Sequence, residues 1–512
     1  MGELTMKLFA SIYIGTYETT LKVFEISKQK GLKSIDTMKI QSDIIKDVLT
    51  KGVILPDTVD KLCRTLSDMR TTIEGYKVDF YSVAAGPNIR QAQNALIVLE
   101  QIKVRTGFSV NVLSNSEQRF LGYQAVASTE DFDDLISDSA VLVDIGGVSL
   151  QITLFSKGKI VTTQHLSLGT VSISENLKKL GSATETSLEQ TYEMMYKELE
   201  VFKTMFLRDI EPKYMILFGV QVSTITERIS TFSSKRIKTK EYIDYLKKIN
   251  KQYIKNYETE HDIYLDNEDI IEPVVMLYKT LAETLKPEIV FAPGLSVCEG
   301  MALQFSYKKK WLTSRHDFEN DVITAAWSIA KRYGSYQPHL KALFKLSGEI
   351  FDAMKKYHGL SRRERLLMQC IAILHDCGKY ISLSEASSCS YTIIMSSEIL
   401  GLSHKERELI ATTVEFNRKP VEPFENLSDR FTQEEYLTIL KLLAILKVAN
   451  ALDRSHKQKI KNVSIKVKDR ELVISIEANS SLALEKGLFK KNADYFEEIF
   501  SIKPVLRENK KF

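Results

Sequence analysis

The chain is poor in cysteine and proline, and it has neither a long apolar run nor a large excess of one charge. Its five cysteines form no C-x-x-C pair, and ten prolines are scattered among 512 residues. This usage is typical of reduced thiols in a cytosolic protein and argues against a structural zinc site. No stretch approaches the roughly 18 apolar residues of a membrane-spanning helix, and the start lacks a secretory signal pattern. We therefore expect a cytoplasmic protein with no membrane partner.

Opposite charges nearly cancel, because 70 basic and 66 acidic side chains give a formal net charge of +4. The protein therefore has no global field that would attract nucleic acid, and we expect any anion recognition to be local. With 44% hydrophobic and 27% charged residues, the composition is that of a soluble globular chain. The length predicts roughly three to four domains.

Two segments repeat each other. Residues 7–26 and 140–155 both read as a strand, a glycine-containing turn and a second strand, which predicts two β-hairpins. An offset of 131 residues places Gly15 on Gly146 without a gap, which indicates an internal duplication. After each hairpin, strand-like runs alternate with helical patterns, and this alternation predicts α/β layers.

From about Ser314 onward the pattern becomes helical. Six stretches between residues 322 and 451 repeat apolar residues at helical spacing. Residues 461–479 then alternate apolar and polar side chains around Lys468-Asp469-Arg470, which predicts a small hairpin, and a closing helix follows. The sequence thus predicts a helical domain with a short α+β appendage.

The segment VLVDIGGVS, residues 141–149, is a candidate phosphate site. Gly146 and Gly147 permit close backbone approach to a ligand, and Asp144 at the strand end can hold Mg²⁺ beside phosphate oxygens. A hairpin turn that simply needs glycine explains the same residues. The duplication favours the phosphate site, because paired hairpins in repeated α/β halves are the layout of the actin-like ATPase superfold.

Three segments in matching order resemble the Ppx/GppA phosphatases, which comprise exopolyphosphatases and guanosine pentaphosphate phosphohydrolases. They are residues 83–125, the hairpin VLVDIGGVSLQITLF and HLSLGTVSISE at 165–175. The resemblance covers residues 1 to about 305. It implies hydrolysis of the terminal phosphoanhydride of inorganic polyphosphate or of pppGpp, using Mg²⁺ or another divalent cation. The partners that it implies are inorganic polyphosphate or guanosine penta- or tetraphosphate, and a second copy of the chain in a homodimer.

The resemblance also implies roles for individual residues. Glu117 in SNSEQRF falls at the family's water-activating glutamate, and Asp144 at its metal ligand. From the residues alone, Glu117 equally fits a glutamate that opens a helix after Ser114 or Asn115 as the cap. The phosphate-binding positions implied by the resemblance are Arg90, Gly146, Gly147, Ser149, Gly169 and Gly15.

Several positions depart from the family pattern. Tyr13 replaces the aspartate of the first hairpin, Val148 replaces a glycine, and Gln151 replaces a glutamate. Glu18 lies near enough in sequence to substitute as a metal-site carboxylate. Because phosphoryl transfer depends on positioning and charge neutralisation, these losses favour an alternative function. That alternative is a catalytically impaired protein that binds polyphosphate or guanosine nucleotides as a sensor.

The helical region contains ILHDCGK, residues 373–379, which resembles the HD phosphohydrolase signature. His339 matches the upstream histidine of that signature and Asp453 its late aspartate. Together with His375 and Asp376 these residues form a predicted second metal site, and chemistry at this centre is a second alternative function. A retained fold without a full metal site fits the same residues.

The fold class that we predict is α/β, with two actin-like (ribonuclease H-like) domains followed by a helical HD-type domain and a small α+β appendage. The predicted boundaries are residues 1–125 and 126–305 for the actin-like domains, 306–460 for the helical domain and 461–512 for the appendage.

Overall fold

The structure, a computed structural model, describes residues 6–15, 18–179, 185–208, 210–219, 235–249 and 268–508. The chain divides into two units, Met1–Asp317 and Phe318–Phe512. The predicted boundary between residues 305 and 306 lies inside the helix Val297–Lys308, so the first unit extends further than predicted. The division of the first unit into domains at residue 125, and of the second at residue 460, stays a prediction.

The strands of the described residues build three sheets. The first has the order β3-β2-β1-β4-β5, the second β10-β11-β9-β6-β7-β8, and the third, in the second unit, β12-β13-β14. The strands are β1 (Lys7–Ile14), β2 (Glu18–Ser27), β3 (Gly31–Gln41), β4 (Phe80–Ala85), β5 (Asn111–Val112), β6 (Ser139–Ile145), β7 (Leu150–Ser156), β8 (Lys159–Leu166), β9 (Tyr214–Phe218), β10 (Arg236–Lys238), β11 (Ile289–Phe291), β12 (Ile460–Lys468), β13 (Glu471–Ala478) and β14 (Lys503–Glu508).

Helices cover the sheets of the first unit and form most of the second. In the first unit they are α1 (Ile44–Lys51), α2 (Pro56–Gly75), α3 (Ala95–Thr106), α4 (Asn115–Ala127), α5 (Phe132–Ser137), α6 (Thr170–Lys179), α7 (Glu185–Phe202), α8 (Thr239–Leu246), α9 (Glu268–Leu285) and α10 (Val297–Lys308). In the second they are α11 (Phe318–Arg332), α12 (Gln337–Ala353), α13 (Lys355–His358), α14 (Arg362–Leu374), α15 (Ala386–Ser396), α16 (His404–Phe416), α17 (Gln433–Leu452) and α18 (Ala483–Phe500).

The two hairpins confirm the predicted duplication. Strands β1 and β2 are antiparallel, as are β6 and β7, and each first strand has a parallel neighbour on its other side. The amide of Gly15 donates to the carbonyl of Glu18 at 2.9 Å, and the amide of Gly146 donates to the carbonyl of Ser149 at 3.0 Å. Both turns are closed by a hydrogen bond between equivalent residues at an offset of 131, so the two sheets contain equivalent hairpins.

Each sheet packs its apolar face against helices and forms its own core. One core combines residues of β1, β2 and β4 with residues of α2 and α3, and the other combines β6, β7 and β9 with residues of α7 and α9. The strands at the sheet centres are almost wholly buried, which explains their nearly continuous apolar sequence.

Helices α4 and α10 lie closely against each other. A Cβ on Gly300 would lie 2.1 Å from the carbonyl oxygen of Leu121, and a Cβ on Gly122 would lie 2.2 Å from the ring of Phe218. Only glycine permits these approaches. Helix α10 follows the second sheet in sequence but packs on the first, because Ser11 on β1 donates to the carbonyl of Cys298 at 3.1 Å. The chain therefore returns to its first sheet just before the second unit.

The second unit confirms the predicted helices and the terminal hairpin. Helices α11, α12, α14, α15, α16 and α17 overlap the six predicted stretches, although α12 and α15 end before the predicted ends at residues 356 and 400, and β12 and β13 pair around Asp469 and Arg470. Strand β14, which pairs parallel to β13, was missed because parallel partners distant in sequence leave no local signal. The HD-type assignment of this unit, the homodimer and the cytoplasmic location stay predictions.

Candidate functional site

An open cleft lies in the first unit, where both hairpins end. Its lining includes Tyr13 and Glu18 from the first hairpin, residues 144–149 from the second, residues 118–119 from α4 and residues 296–298 from the start of α10. The duplicated turns therefore reach the same cleft from the two sheets.

The predicted phosphate-binding glycines have different surroundings. The Gly146 amide is used inside the hairpin, while the carbonyl of Gly147 accepts from the amide of Val171 at 2.7 Å and so caps the first turn of α6. Gly169 lies behind this loop, where an added Cβ would be 2.1 Å from the carbonyl carbon of Val148. The loop is thus fixed from behind by helix α6 and by a glycine that no larger residue can replace without movement.

Asp144 ends strand β6 and contributes the one carboxylate of this hairpin to the cleft. Desolvation raises the pKa of its carboxyl group, and the positive charge of Arg119 lowers it in part. The positive charge of Arg119 therefore stabilises the ionised form of the Asp144 carboxyl group.

Tyr13 occupies the first hairpin where the resemblance implies a carboxylate. Its ring is buried, and its hydroxyl would lie 2.7 Å from a Cβ placed on Gly86. Burial raises the pKa of the Tyr13 phenol, and the negative charge of Asp144 raises it further. The phenol therefore stays protonated and contributes a neutral group to the cleft.

Glu117 is the predicted water-activating residue, but the structure places its carboxylate at a helix cap. Its Oε2 accepts from the amide of Ser114 at 2.8 Å and from the Ser114 hydroxyl at 2.7 Å, and the Glu117 amide donates back to that hydroxyl at 3.2 Å. These bonds form a capping box at the start of α4. The next side chain, Gln118, lines the cleft instead. The general-base role of Glu117 stays a prediction.

Arg90 is also directed elsewhere. Its guanidinium donates to the carbonyl of Val112, and the side chain is exposed. Four of the eight predicted site residues line the cleft: Asp144, Gly146, Gly147 and Ser149. The other four lie outside its described lining: Gly15, Arg90, Glu117 and Gly169. The structure thus assembles half of the predicted site in one place.

Arg119 is the functional candidate that sequence reasoning missed. One of its guanidinium nitrogens, Nη2, donates to the hydroxyl of Ser149 at 3.0 Å, and this hydroxyl also contacts Nε2 of His165 at 2.8 Å. No motif marks Arg119 in the sequence. The sequence signal that could have identified Arg119 is its position, two residues after Glu117 and near the start of a helix that follows a strand.

The donors in the cleft do not fit the predicted Mg²⁺ site. Carboxylates are the protein ligands through which Mg²⁺ is usually held, together with phosphates and water. In this cleft, however, Tyr13 is neutral, and Gln151, which pairs with Asp144 across the hairpin, is a buried neutral amide. Glu18 lines the cleft, but it already accepts from the hydroxyl of Thr20 at 2.9 Å.

Across the part of the chain that the structure describes, no three His, Cys, Asp or Glu side chains are grouped so that they could hold a metal ion. The predicted metal role of Asp144 therefore rests on two carboxylates, Asp144 and Glu18, and the first of these interacts with a guanidinium. The charge of that guanidinium would repel a divalent cation.

In the second unit, the four residues of the predicted second metal site come together. Nδ1 of His339 contacts Oδ2 of Asp453 at 2.8 Å, the rings of His339 and His375 lie 5.2 Å apart, and Nε2 of His375 is 4.0 Å from Oδ2 of Asp376. All four side chains are buried. His456, which the sequence did not single out, stacks on His339 with ring centroids 3.7 Å apart.

This cluster is held by hydrogen bonds and charge within the protein. Burial lowers the pKa of His375 to about 4, so the ring is neutral at neutral pH. Burial opposes the charged form of Asp376, but His375 and Lys379 outweigh it and lower the pKa of Asp376 to about 2. The Lys379 ammonium contacts Oδ2 of Asp376 at 2.6 Å, and Gln458 donates to Asp453. Nε2 of His339 and Oδ1 of Asp376 are buried and have no hydrogen-bond partner among the described residues, and the second metal site stays a prediction.

Two general features bear on location. All five cysteines are free thiols, four of them buried. Over the described residues, none of the helices combines the length and the apolar character that crossing a membrane requires.

Known proteins resemble the chain over both units. The Ppx/GppA phosphatase family matches residues 23–308, and Ppx/GppA phosphatase, domain III, matches residues 324–495, across the predicted boundary at residue 460. A bifunctional 3-dehydroquinate synthase/phosphatase of Fusobacterium nucleatum is 24% identical over 296 residues, which are 52% of this chain. The chain spans 43% of the length of that relative.

Solved structures also align with part of the chain. A crystal structure of the Aquifex aeolicus Ppx/GppA family member aligns with a TM-score of 0.48 and 20% identity, covering 61% of this chain and 100% of its own. An exopolyphosphatase from Cytophaga hutchinsonii aligns with a TM-score of 0.48 and 16% identity, covering 60% and 100%. The family match alone spans more than half of the chain, and the protein therefore belongs to the Ppx/GppA phosphatase family.

Proposed function

We propose that the cleft of the first unit binds the terminal phosphates of inorganic polyphosphate or of pppGpp, and that the protein hydrolyses the terminal phosphoanhydride. The observation that supports this most is the convergence of both duplicated hairpin turns on one cleft that carries Asp144, Ser149 and Arg119. The family relationship supports a phosphatase at the coarse level.

The charges of the cleft suit a polyanion. Three cationic side chains, Lys22, Lys39 and Arg119, and two carboxylates, Glu18 and Asp144, line it. Lys22 is paired with Glu299 at 2.6 Å, so Lys39 and Arg119 are the cationic side chains that supply complementary charge to phosphate oxygens there. A chain of phosphates can extend out of the cleft, because the cleft is open to solvent.

In the reaction, a water oxygen attacks the terminal phosphorus while the bond from that phosphorus to the bridging oxygen breaks. The attacking water loses a proton, and the products are inorganic phosphate and the shortened phosphate chain. Neutralising the charge spread over the transferred phosphoryl group supplies most of the catalysis in such reactions. Glu117 would have to leave its capping bonds to Ser114 before it could take that proton, so we expect slow turnover.

The second candidate function is binding of the same phosphate chains without turnover. One specific observation favours it: the side chains that α4 contributes to the cleft lining are Asn115, Gln118 and Arg119, none of which is a carboxylate, and the carboxylate of Glu117 is held at the helix cap. An amide cannot accept a proton from water at neutral pH. A cleft of this kind would serve as a sensor.

Phosphate release from polyphosphate and from pppGpp separates the two candidates. If the protein is a hydrolase, wild type releases inorganic phosphate above the buffer rate, and Asp144→Asn abolishes the release. The matched control is Asp138→Asn, whose exposed carboxylate precedes the opposite end of the same strand and contacts Lys213. This control should retain the wild-type rate.

Gln118→Glu extends the test, because it adds a carboxylate to the cleft lining. A rate that rises in Gln118→Glu and falls in Asp144→Asn supports hydrolysis with an impaired base. Binding of polyphosphate by wild type, with no release by wild type or by Gln118→Glu, identifies a binding protein. Absence of both binding and release rejects the assignment of this cleft.

A further inference from the structure

The guanidinium of Arg119 is a cationic group in the cleft whose hydrogen bonding is incomplete. Its Nη2 donates to Ser149, but its Nη1 is shielded from solvent and has no hydrogen-bond partner among the residues that the structure describes. A buried donor without a partner is costly unless a ligand satisfies it. Nη1 thus provides a donor position for an acceptor atom that the protein itself does not supply.

Lys22 and Lys39 are the other cationic side chains that line the cleft, and Lys22 is already engaged. Lys22 contacts Oε1 of Glu299 at 2.6 Å, and both of these side chains are nearly buried. Arg90, the arginine implied by the resemblance, donates to a backbone carbonyl and does not line the cleft. Arg119 is consequently the arginine best placed to meet a phosphate that enters between the two hairpins.

Arg119 also lies in a cleft with fewer carboxylates than the resemblance implies, because only Glu18 and Asp144 among the described residues line it as carboxylates. Enzymes of this family generally depend on a divalent cation. This chain has a neutral phenol at Tyr13 and a neutral amide at Gln151, and the positive charge of Arg119 acts on the carboxyl group of Asp144. A guanidinium can neutralise phosphate charge as a metal ion does, and its planar fork contacts two oxygens at once.

We propose that Arg119 takes the place of the divalent metal ion in this cleft, so that its guanidinium and the hydroxyl of Ser149 hold a terminal phosphate of polyphosphate without a cation. This inference rests on the proposed function, because it concerns the same cleft and the same phosphate chains. It predicts that phosphate-chain binding by this protein is independent of Mg²⁺ and depends on one arginine.

Calorimetric titration with a short inorganic polyphosphate tests the proposal on the full-length protein. Wild type should bind in excess EDTA with a Kd within about twofold of that in Mg²⁺, after correction for Mg²⁺ held by free polyphosphate. A hydrogen bond to a charged group predicts that Arg119→Gln weakens binding roughly 10- to 100-fold in either buffer. Arg119→Lys keeps the positive charge but loses the planar guanidinium that contacts two oxygens. Its Kd should lie between those of wild type and Arg119→Gln.

The matched control is Arg105→Gln, because Arg105 is an exposed arginine of the same unit that pairs with Asp60 at 2.7 Å. It should bind like wild type. Circular dichroism melts check that each variant is folded, and the comparison of EDTA with Mg²⁺ on wild type needs no substitution.

Binding that disappears in EDTA and returns with Mg²⁺ would overturn the role of Arg119 while leaving the proposed function intact. So would a folded Arg119→Gln variant that binds as tightly as the Arg105→Gln control. Absence of polyphosphate binding in both buffers would overturn the proposal together with the proposed function, and this result differs from the other two.

Discussion

Replacing Lys22 by methionine should lower the free energy of unfolding of the first unit, because it leaves the nearly buried carboxylate of Glu299 without its cationic partner. Nζ of Lys22 contacts Oε1 of Glu299 at 2.6 Å, and the two side chains are 11% and 9% exposed. The pair joins β2 of the first sheet to the start of α10. Oε2 of Glu299 also accepts from the amide and the hydroxyl of Ser296, so the same carboxylate caps that helix.

The expected loss can be bounded from this geometry. Two unit charges at 2.6 Å attract each other by about 6 kcal/mol at an effective dielectric constant of ~20, before the cost of desolvation is subtracted. Removing one partner of a buried pair typically costs roughly 3 to 5 kcal/mol, because the other charge remains buried. Glu299 keeps its bonds from Ser296, so we expect a loss near the lower end, about 3 kcal/mol in the free energy of unfolding.

Urea unfolding followed through the transition of the first unit measures this loss. The control is Lys61→Met, which breaks an exposed pair with Asp43 whose side chains are 50% and 40% exposed, and which should cost less than about 1 kcal/mol. A double variant, Lys22→Met with Glu299→Leu, should recover much of the stability, because no charge stays buried. If Lys22→Met costs no more than Lys61→Met, the reasoning about this pair is refuted.

Three further predictions concern the glycine loop, a helix cap and pH. Gly169→Ala should lower the melting temperature and weaken polyphosphate binding, because its Cβ would lie 2.1 Å from the loop backbone. The control is Gly75→Ala, whose Cβ would meet nothing within 4 Å, and it should keep both the melting temperature and the binding affinity. Ser114→Ala removes a cap and should cost about 1 kcal/mol in urea unfolding; an unchanged midpoint would contradict the capping box. His358 is buried, burial lowers the pKa of its ring, and its Nδ1 accepts a hydrogen bond from the Leu360 amide. The unfolded chain therefore binds a proton more readily at this residue than the folded protein does. The free energy of unfolding should fall as pH drops below about 6.5. His358→Gln should show a shallower fall between about pH 7 and pH 5, and equal slopes would show that this ring does not contribute.

Local patterns in the sequence predicted the parts of the fold that local physics determines. The duplicated hairpins were predictable because period-two strands around a glycine turn repeat at a constant offset, and the matching turn bonds of Gly15 and Gly146 confirm them. The helices of the second unit were predictable from apolar spacing. The packing of α10 on the first sheet was not, because it depends on contacts between residues nearly 300 positions apart, such as Ser11 and Cys298.

The candidate site shows where sequence reasoning stops. Asp144 and Ser149 follow from the hairpin motif and line the cleft, and their roles in binding stay predictions. At Glu117, the catalytic prediction competed with the capping pattern S-x-x-E, and the structure shows the cap. A helix turns by about 100° per residue, so one position decides whether α4 presents a carboxylate or the amide of Gln118 to the cleft. Arg119 carries no motif, and its role depends on Ser149, which lies thirty residues away.

Hydrogen–deuterium exchange of the full-length protein, with and without inorganic polyphosphate, tests most directly whether the cleft of the first unit holds phosphate chains. Slower exchange should appear in peptides covering residues 144–149 and 115–119, and the helical unit should exchange at an unchanged rate. Protection confined to the helical unit, or no protection at saturating polyphosphate, would contradict the assignment of this cleft.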